Sequence, residues 1–75
     1  MEDEIEIDAT GLKCPLPVLR LRKRLEGVAP GRVVRLLASD PMAAIDVPHF
    51  CAEAGHAYLG AEDGPVPAYR VRKGG

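Results

Sequence analysis

The first polar–apolar signal is a strict alternation. In "EIEID", residues 4–8, Ile5 and Ile7 face one way and the acids the other, the period of a half-buried strand. "ATG" then breaks the run, and Gly11 permits a sharp turn. From Pro15 the period becomes helical: Val18, Leu21, Leu25 and Val28 fall on one apolar stripe. Arg20, Lys23 and Arg24 lie on the opposite side, Arg22 borders the stripe, and Leu16 lies well off it. "APG", residues 29–31, ends this helix.

"RVVRLLAS", residues 32–39, is dense in branched side chains and reads as a second strand. Asp40 and Pro41 open a second helical region. Proline is disfavoured in a helix interior. Pro48 therefore predicts a short turn at 41–45 and a helix that starts near Asp46, with Asp46 as N-cap and Pro48 in the first turn. Val47, Phe50, Cys51 and Ala54 would form its apolar stripe, and Gly55 its stop. Residues 56–62 and 68–73 read as two more strands, joined through "EDGP" as an antiparallel hairpin. The order is β-α-β-α-β-β: an α+β fold, a two-layer sandwich with a four-stranded mixed sheet and both helices on one face. The first βαβ unit predicts parallel strands one and two in a right-handed crossover.

The chain has 75 residues, which bounds the answer to a single domain spanning 1–75. A chain this short needs staples or a well-packed core. Its 47% hydrophobic content favours packing, because two cysteines and two histidines make a poor disulfide or structural zinc set. The formal charge of −1 gives no global argument for nucleic acid or an anionic membrane. Locally the charge is uneven: Glu2, Asp3, Glu4, Glu6 and Asp8 crowd the start, and Arg70, Arg72 and Lys73 the end. The acidic N-terminus lacks the apolar core of a signal peptide, and no apolar run approaches the length of a membrane span. A chain of this kind with free thiols is expected in a reducing cytoplasm.

The candidate chemistry lies in "GLKCPLP", residues 11–17. Cys14 falls at or next to the N-cap of the first helix, with Pro15 at N1 and Pro17 at N3. Prolines are tolerated there because first-turn N–H groups have no intrahelical partner, and they stiffen the direction in which the cysteine projects. A helix N-terminus and a neighbouring cation, here Lys13, favour the thiolate and lower its pKa, while the two prolines remove N–H donors and weaken that effect, so Cys14 is expected to be a reactive thiol rather than a permanently ionised one. Cysteine is also a poor N-cap, which argues that its use here is chemical. Cys51 lies on an apolar stripe beside Phe50 and reads as a small core hydrophobe. His49 and His56 lack a sequence partner and read as surface or boundary residues.

"GLKCPLPVL", "SDPMAAIDVPHFCAEAGH" and "YRVRKGG", in that order, resemble the TusA-like (SirA/YedF) sulfur carrier family, over roughly residues 4–75. The resemblance implies a mixed sheet of order 1-2-4-3. It implies that Cys14 accepts sulfane sulfur as a persulfide from a donor such as a cysteine desulfurase. The sulfur then passes to an acceptor protein, toward tRNA thiolation, molybdenum cofactor or another relay. No metal or organic cofactor is implied. Gly11, Lys13, Pro15 and Pro17 would support the motif. Members in the tRNA relay can carry an acid between the two prolines, where this chain has Leu16. An exposed leucine there suggests an apolar partner contact, with Arg20, Lys23 and Arg24 as a cationic docking rim. The expected state is a monomer without direct nucleic-acid or membrane contact. Two rival readings are a Gly-Gly thiocarboxylate carrier, suggested by Gly74–Gly75, and a small RNA- or protein-binding module, suggested by the basic C-terminus. The first conflicts with a chain that opens β-α rather than with a hairpin, the second with the charge balance and the lack of an exposed aromatic pair.

Overall fold

The computed structural model describes residues 4–75; Glu2 and Asp3 of the acidic start lie outside them. The elements run β1 (Ile5–Asp8), α1 (Leu16–Leu25), β2 (Val33–Leu37), α2 (Ala43–Ala54), β3 (Ala57–Glu62) and β4 (Ala68–Arg72). This is the expected β-α-β-α-β-β order. The strands form one mixed sheet, β1-β2-β4-β3. β1 and β2 are parallel, with Ile5 opposite Val34 and Ile7 opposite Leu36. β4 is antiparallel to both β2 and β3.

Period-two alternation divides the sheet into two chemically different faces. Ile7, Val34, Leu36, Tyr69 and Val71 are buried on the helix side, where they meet Leu21 and Leu25 of α1 and Val47, Phe50 and Cys51 of α2. The other face carries ion pairs across strands. Arg35 donates to Glu6 at 2.8 Å and to Glu62 at 2.9 Å, and Arg70 donates to Glu4. Glu6 stands directly opposite Arg35 on the neighbouring strand, whereas the Arg35–Glu62 and Arg70–Glu4 pairs reach across an intervening strand.

Several local assignments need correction. α2 starts at Ala43, not near Asp46. Met42 holds the N-cap position without a side-chain cap, and Asp40 opens the turn before it: its Oδ1 accepts the Met42 N–H at 3.0 Å and its carbonyl accepts the Ala43 N–H at 3.0 Å. Asp46 is therefore not the N-cap, and Pro48 lies inside the helix rather than in its first turn. The missing Pro48 N–H releases the carbonyl four residues back, on Ala44, which is exposed. Ala54 is exposed rather than on the buried stripe, and Val28 is buried from the turn that follows α1. In α1, Pro15 is the N-cap and Pro17 falls at N2, one position earlier than expected. The β3–β4 hairpin carries an irregularity between Tyr58 and Gly60 that the alternation did not signal.

The closing segment is anchored from both sides. Lys73 Nζ donates to the carbonyls of Leu25, at 2.5 Å, and Val28, at 2.9 Å, which satisfies the C-terminal end of α1. Gly74 N donates to His56 Nδ1 at 2.9 Å. A Cβ at Gly74 would lie 1.8 Å from the Gly55 carbonyl oxygen, so this position accepts only glycine. Packing explains the first residue of the Gly-Gly pair.

Candidate functional site

The two parallel strands end on the same side of the sheet, and the loops that follow them meet there. In the β1–α1 loop, Gly11 takes φ 85° and turns the chain without the penalty a side chain would bring. Its N–H donates to Ser39 Oγ at 3.0 Å, which ties this loop to the β2–α2 loop. Asp40 makes a second tie: its Oδ2 accepts the Cys14 N–H at 2.7 Å while Oδ1 accepts the Met42 N–H just ahead of α2. One carboxylate thus fixes both the backbone of Cys14 and the start of α2. Its hydrogen bonds to Met42 and Cys14, helped by the charge of Lys13, hold the Asp40 carboxyl below the usual carboxylate range.

Cys14 is exposed and a free thiol; Cys51 is also free but buried. Burial alone pushes the Cys51 thiol up to about 11. Cys51 touches Gly55 through its carbonyl, which accepts the Gly55 N–H, and otherwise serves the core as expected.

The Cys14 side chain has a specific neighbour. Its Sγ donates to Asp46 Oδ2 at 2.8 Å. This overturns the expected sign of the pKa shift. A carboxylate that accepts a thiol hydrogen bond favours the protonated form, and burial and the negative charges of Asp46 and Asp40 act the same way, so the Cys14 thiol is pushed up, not down. The helix dipole loses because Pro15 and Pro17 have no N–H to aim at sulfur and the Leu16 N–H is taken by the Lys13 carbonyl. Lys13 acts on Asp40 rather than on the thiol. Neither Asp40 nor Asp46 stood out as a site residue in the sequence, since the helix pattern accounted for both.

Cys14 and Asp46 stand at one end of a groove of about 550 Å³ between α1 and α2. Val18, Leu25 and Phe50 line its apolar part. The Arg22 guanidinium lies 5.7 Å from the Phe50 ring centroid, a cation–π arrangement, and the His56 ring centroid lies 5.6 Å from that of Phe50, tilted by 44°. Burial, with the Lys73 charge second, lowers the His56 pKa and favours the neutral ring whose Nδ1 accepts from Gly74. His49 is exposed and pairs with Glu53 one turn on, at 3.6 Å.

Of the expected docking residues, Leu16 is 47% exposed. Leu19, Met42 and Ile45 are also exposed apolar residues near the two helix starts, and no pattern had singled them out. Lys23 and Arg24 are exposed. Arg20 is committed in part, since its guanidinium donates to the Asp8 carbonyl at 3.1 Å. Arg22, assigned to the stripe border, turns into the groove instead.

The two prolines differ. Pro17 is buried with Leu21 and Leu25, whereas Pro15 is exposed. Pro17→Ala should lower the unfolding free energy by about 1–2 kcal/mol through lost apolar burial, and Pro15→Ala by less than about 1 kcal/mol. Chemical denaturation of both variants checks this. Equal, negligible losses would show that Pro17 contributes little packing.

Comparison with known proteins gives one consistent result. The family model "Sulfurtransferase TusA" matches residues 5–73. A curated relative, the sulfur carrier protein TusA of Pseudomonas entomophila, is 43% identical over 68 residues, covering 89% of this chain and 85% of the relative. Among solved structures, a SirA-like protein from Desulfitobacterium hafniense superposes with a TM-score of 0.73 at 30% identity, over 95% of this chain and 99% of the other.

Proposed function

The chain belongs to the TusA sulfurtransferase family, and on that footing we propose that it is a sulfur carrier whose cargo rides on Cys14 as a persulfide. The observation that carries this reading is the contrast between the two cysteines. One is exposed at the meeting point of the two βα loops, and the other is buried in the core. A carrier needs an accessible thiol with no second thiol beside it, because a neighbour would form a disulfide and release the sulfur as hydrogen sulfide.

The step balances as thiol–disulfide exchange. Cys14 sulfur attacks the outer sulfur of a donor persulfide, and the bond between that sulfur and the donor cysteine breaks. The donor cysteine leaves as thiolate and takes up the proton that Cys14 lost. The sulfane sulfur then sits on Cys14 until an acceptor thiolate attacks it and Cys14 leaves in turn. Electrons are conserved at each transfer, so no metal, oxidant or organic cofactor enters. The donor class is a cysteine desulfurase or another protein persulfide, and the acceptor is a thiol of a further relay protein. Gly11 and Asp40 position the loop, and Pro15 and Pro17 fix its exit into α1. Leu16, with Leu19, supplies the apolar contact for a docked partner, and Lys23 and Arg24 supply the charge at its rim.

A pulse and chase tests the reading. The protein is incubated with a cysteine desulfurase and sulfur-labelled cysteine, separated from both, and offered an excess of acceptor thiol. A carrier takes up label and then yields it. A protein that takes up no label, or that keeps it through the chase, is not a carrier.

A further inference from the structure

The hydrogen bond from Cys14 to Asp46 is unexpected for a nucleophile, and it points to how the nucleophile is controlled. We propose that Asp46 is a catalytic residue of the exchange: it holds the proton of the resting Cys14 thiol, and a cationic group that the donor places beside its own persulfide displaces that bond and frees the thiolate. This deepens the sulfur-carrier reading and rests on it.

The geometry is fixed from both ends. The acceptor, Asp46, sits in the first turn of α2, and the donor, Cys14, lies near the end of the β1–α1 loop. Asp40 accepts from the backbone at the entry to the former and from the backbone of the latter, so the 2.8 Å contact joins two elements already clamped to each other. Beyond the favourable place of an acid in the first turn of its helix, Asp46 has no other structural task among the described residues. It is not the cap of its helix, and among the described residues no lysine or arginine forms an ion pair with it. Asp46 is only half-buried, so its carboxylate is within reach of a cation that a partner brings.

The charges that face Cys14 are few. Lys13 lies on its own loop but acts on Asp40. From the α2 side come Asp40, Asp46 and His49, and from α1 comes Arg22, which is stacked over Phe50. Glu26, Glu53, His56 and Lys73 line the remainder of the groove. The Asp46 hydrogen bond, burial and the charges of the two carboxylates nearest the sulfur all favour the thiol. A resting thiol is a poor nucleophile and a poor target for oxidants, which suits a carrier that must react with a cognate donor and not with stray electrophiles. When a lysine, arginine or imidazolium of the donor engages Asp46, the same carboxylate no longer opposes ionisation. Cys14 attacks the outer sulfur, the donor thiolate leaves, and the proton released from Cys14 ends on that thiolate.

The test uses the intact protein and a neutral alkylating agent, with modification of Cys14 followed by peptide mass spectrometry across pH, so it requires no sulfur loading. In the unaltered protein the midpoint of the profile should lie above that of an ordinary thiol, ~8.5. Asp46→Asn, nearly the same shape without the charge, should lower the midpoint. Its alkylation at neutral pH should rise roughly threefold for each pH unit of that shift, because a larger thiolate fraction is partly offset by weaker nucleophilicity. Asp46→Glu, which keeps the charge, should stay closer to the unaltered protein. Sulfur uptake from a desulfurase should not rise with alkylation in Asp46→Asn, since the donor's cation loses its target. An unaltered protein with a midpoint at or below the ordinary thiol value overturns the proposal, even if the variant fails to fold. So does a folded Asp46→Asn with an unchanged profile, or one whose sulfur uptake rises in step with alkylation. Failure of the protein to take up sulfur at all, with the profiles as expected, would instead count against the carrier reading.

Discussion

Cys14→Ser should abolish sulfur loading, while Cys51→Ala should leave loading per folded molecule unchanged. The expectation follows from where the two thiols sit. Cys14 is exposed and held by a loop that two carboxylates and a glycine turn define. Cys51 is 1% exposed and its thiol is pushed up to about 11 by burial, so it is neither accessible nor ionised at neutral pH. A hydroxyl in place of the Cys14 thiol cannot hold sulfane sulfur, so the loss is complete rather than graded. The core substitution has a different effect: removing the buried sulfur of Cys51 leaves a small void and costs about 1 kcal/mol of stability. Persulfide labelling of both variants, normalised to folded protein by circular dichroism, separates the two roles. Loading that persists in Cys14→Ser would move the cargo to another group.

Leu16→Asp should weaken the complex with the sulfur donor by about tenfold or more at every salt concentration. A partner cysteine must come within bonding reach of Cys14, and so must cover the first turn of α1. Leu16 is two residues on, nearly half exposed, and flanked by other exposed apolar residues at the two helix starts. Full burial of a leucine contributes about 1.5–3 kcal/mol, and even half of that, together with the desolvation of a new charge, reaches a factor of ten. Charge reversal at Lys23 and Arg24 should act differently, slowing association and flattening its salt dependence while leaving dissociation nearly unchanged. Arg20 is a poorer probe because its bond to the Asp8 carbonyl mixes docking with stability. Association and dissociation rates against salt, measured with a cysteine desulfurase, decide the matter. Rates unchanged in all three variants would place docking on another surface.

The fold was legible because its signals are short-range. "EIEID" and "RVVRLLAS" alternate or cluster as strands, and one stripe marks α1; the parallel and antiparallel pairings follow from connection length and handedness. The start of α2 was misread because proline is weighed against the helix interior. The sequence rule does not see that Asp40 opens the turn upstream and that the carbonyl released by Pro48 is on an exposed residue. That single error hid the partner of the Cys14 thiol, since an Asp46 assigned to capping is not sought beside a thiol. The sign of the Cys14 shift failed for a related reason. Lys13 and the helix start are local and visible, whereas the carboxylates that outweigh them lie 26 and 32 residues away. Only the convergence of the loops after two parallel strands could have suggested the meeting. Leu19, Met42 and Ile45 were passed over because a lone apolar residue off a stripe carries no signal until its neighbours in space are known.

The most direct test of the central claim is to locate the sulfur. The unaltered protein is incubated with a cysteine desulfurase and cysteine, its free persulfides are capped with an alkylating agent, and its peptides are sequenced by mass spectrometry. The account predicts one added sulfur atom, on the peptide containing Cys14, removed by a reducing thiol, with Cys51 unmodified. Sulfur on Cys51, at the C-terminal glycine, or nowhere in the chain would contradict it.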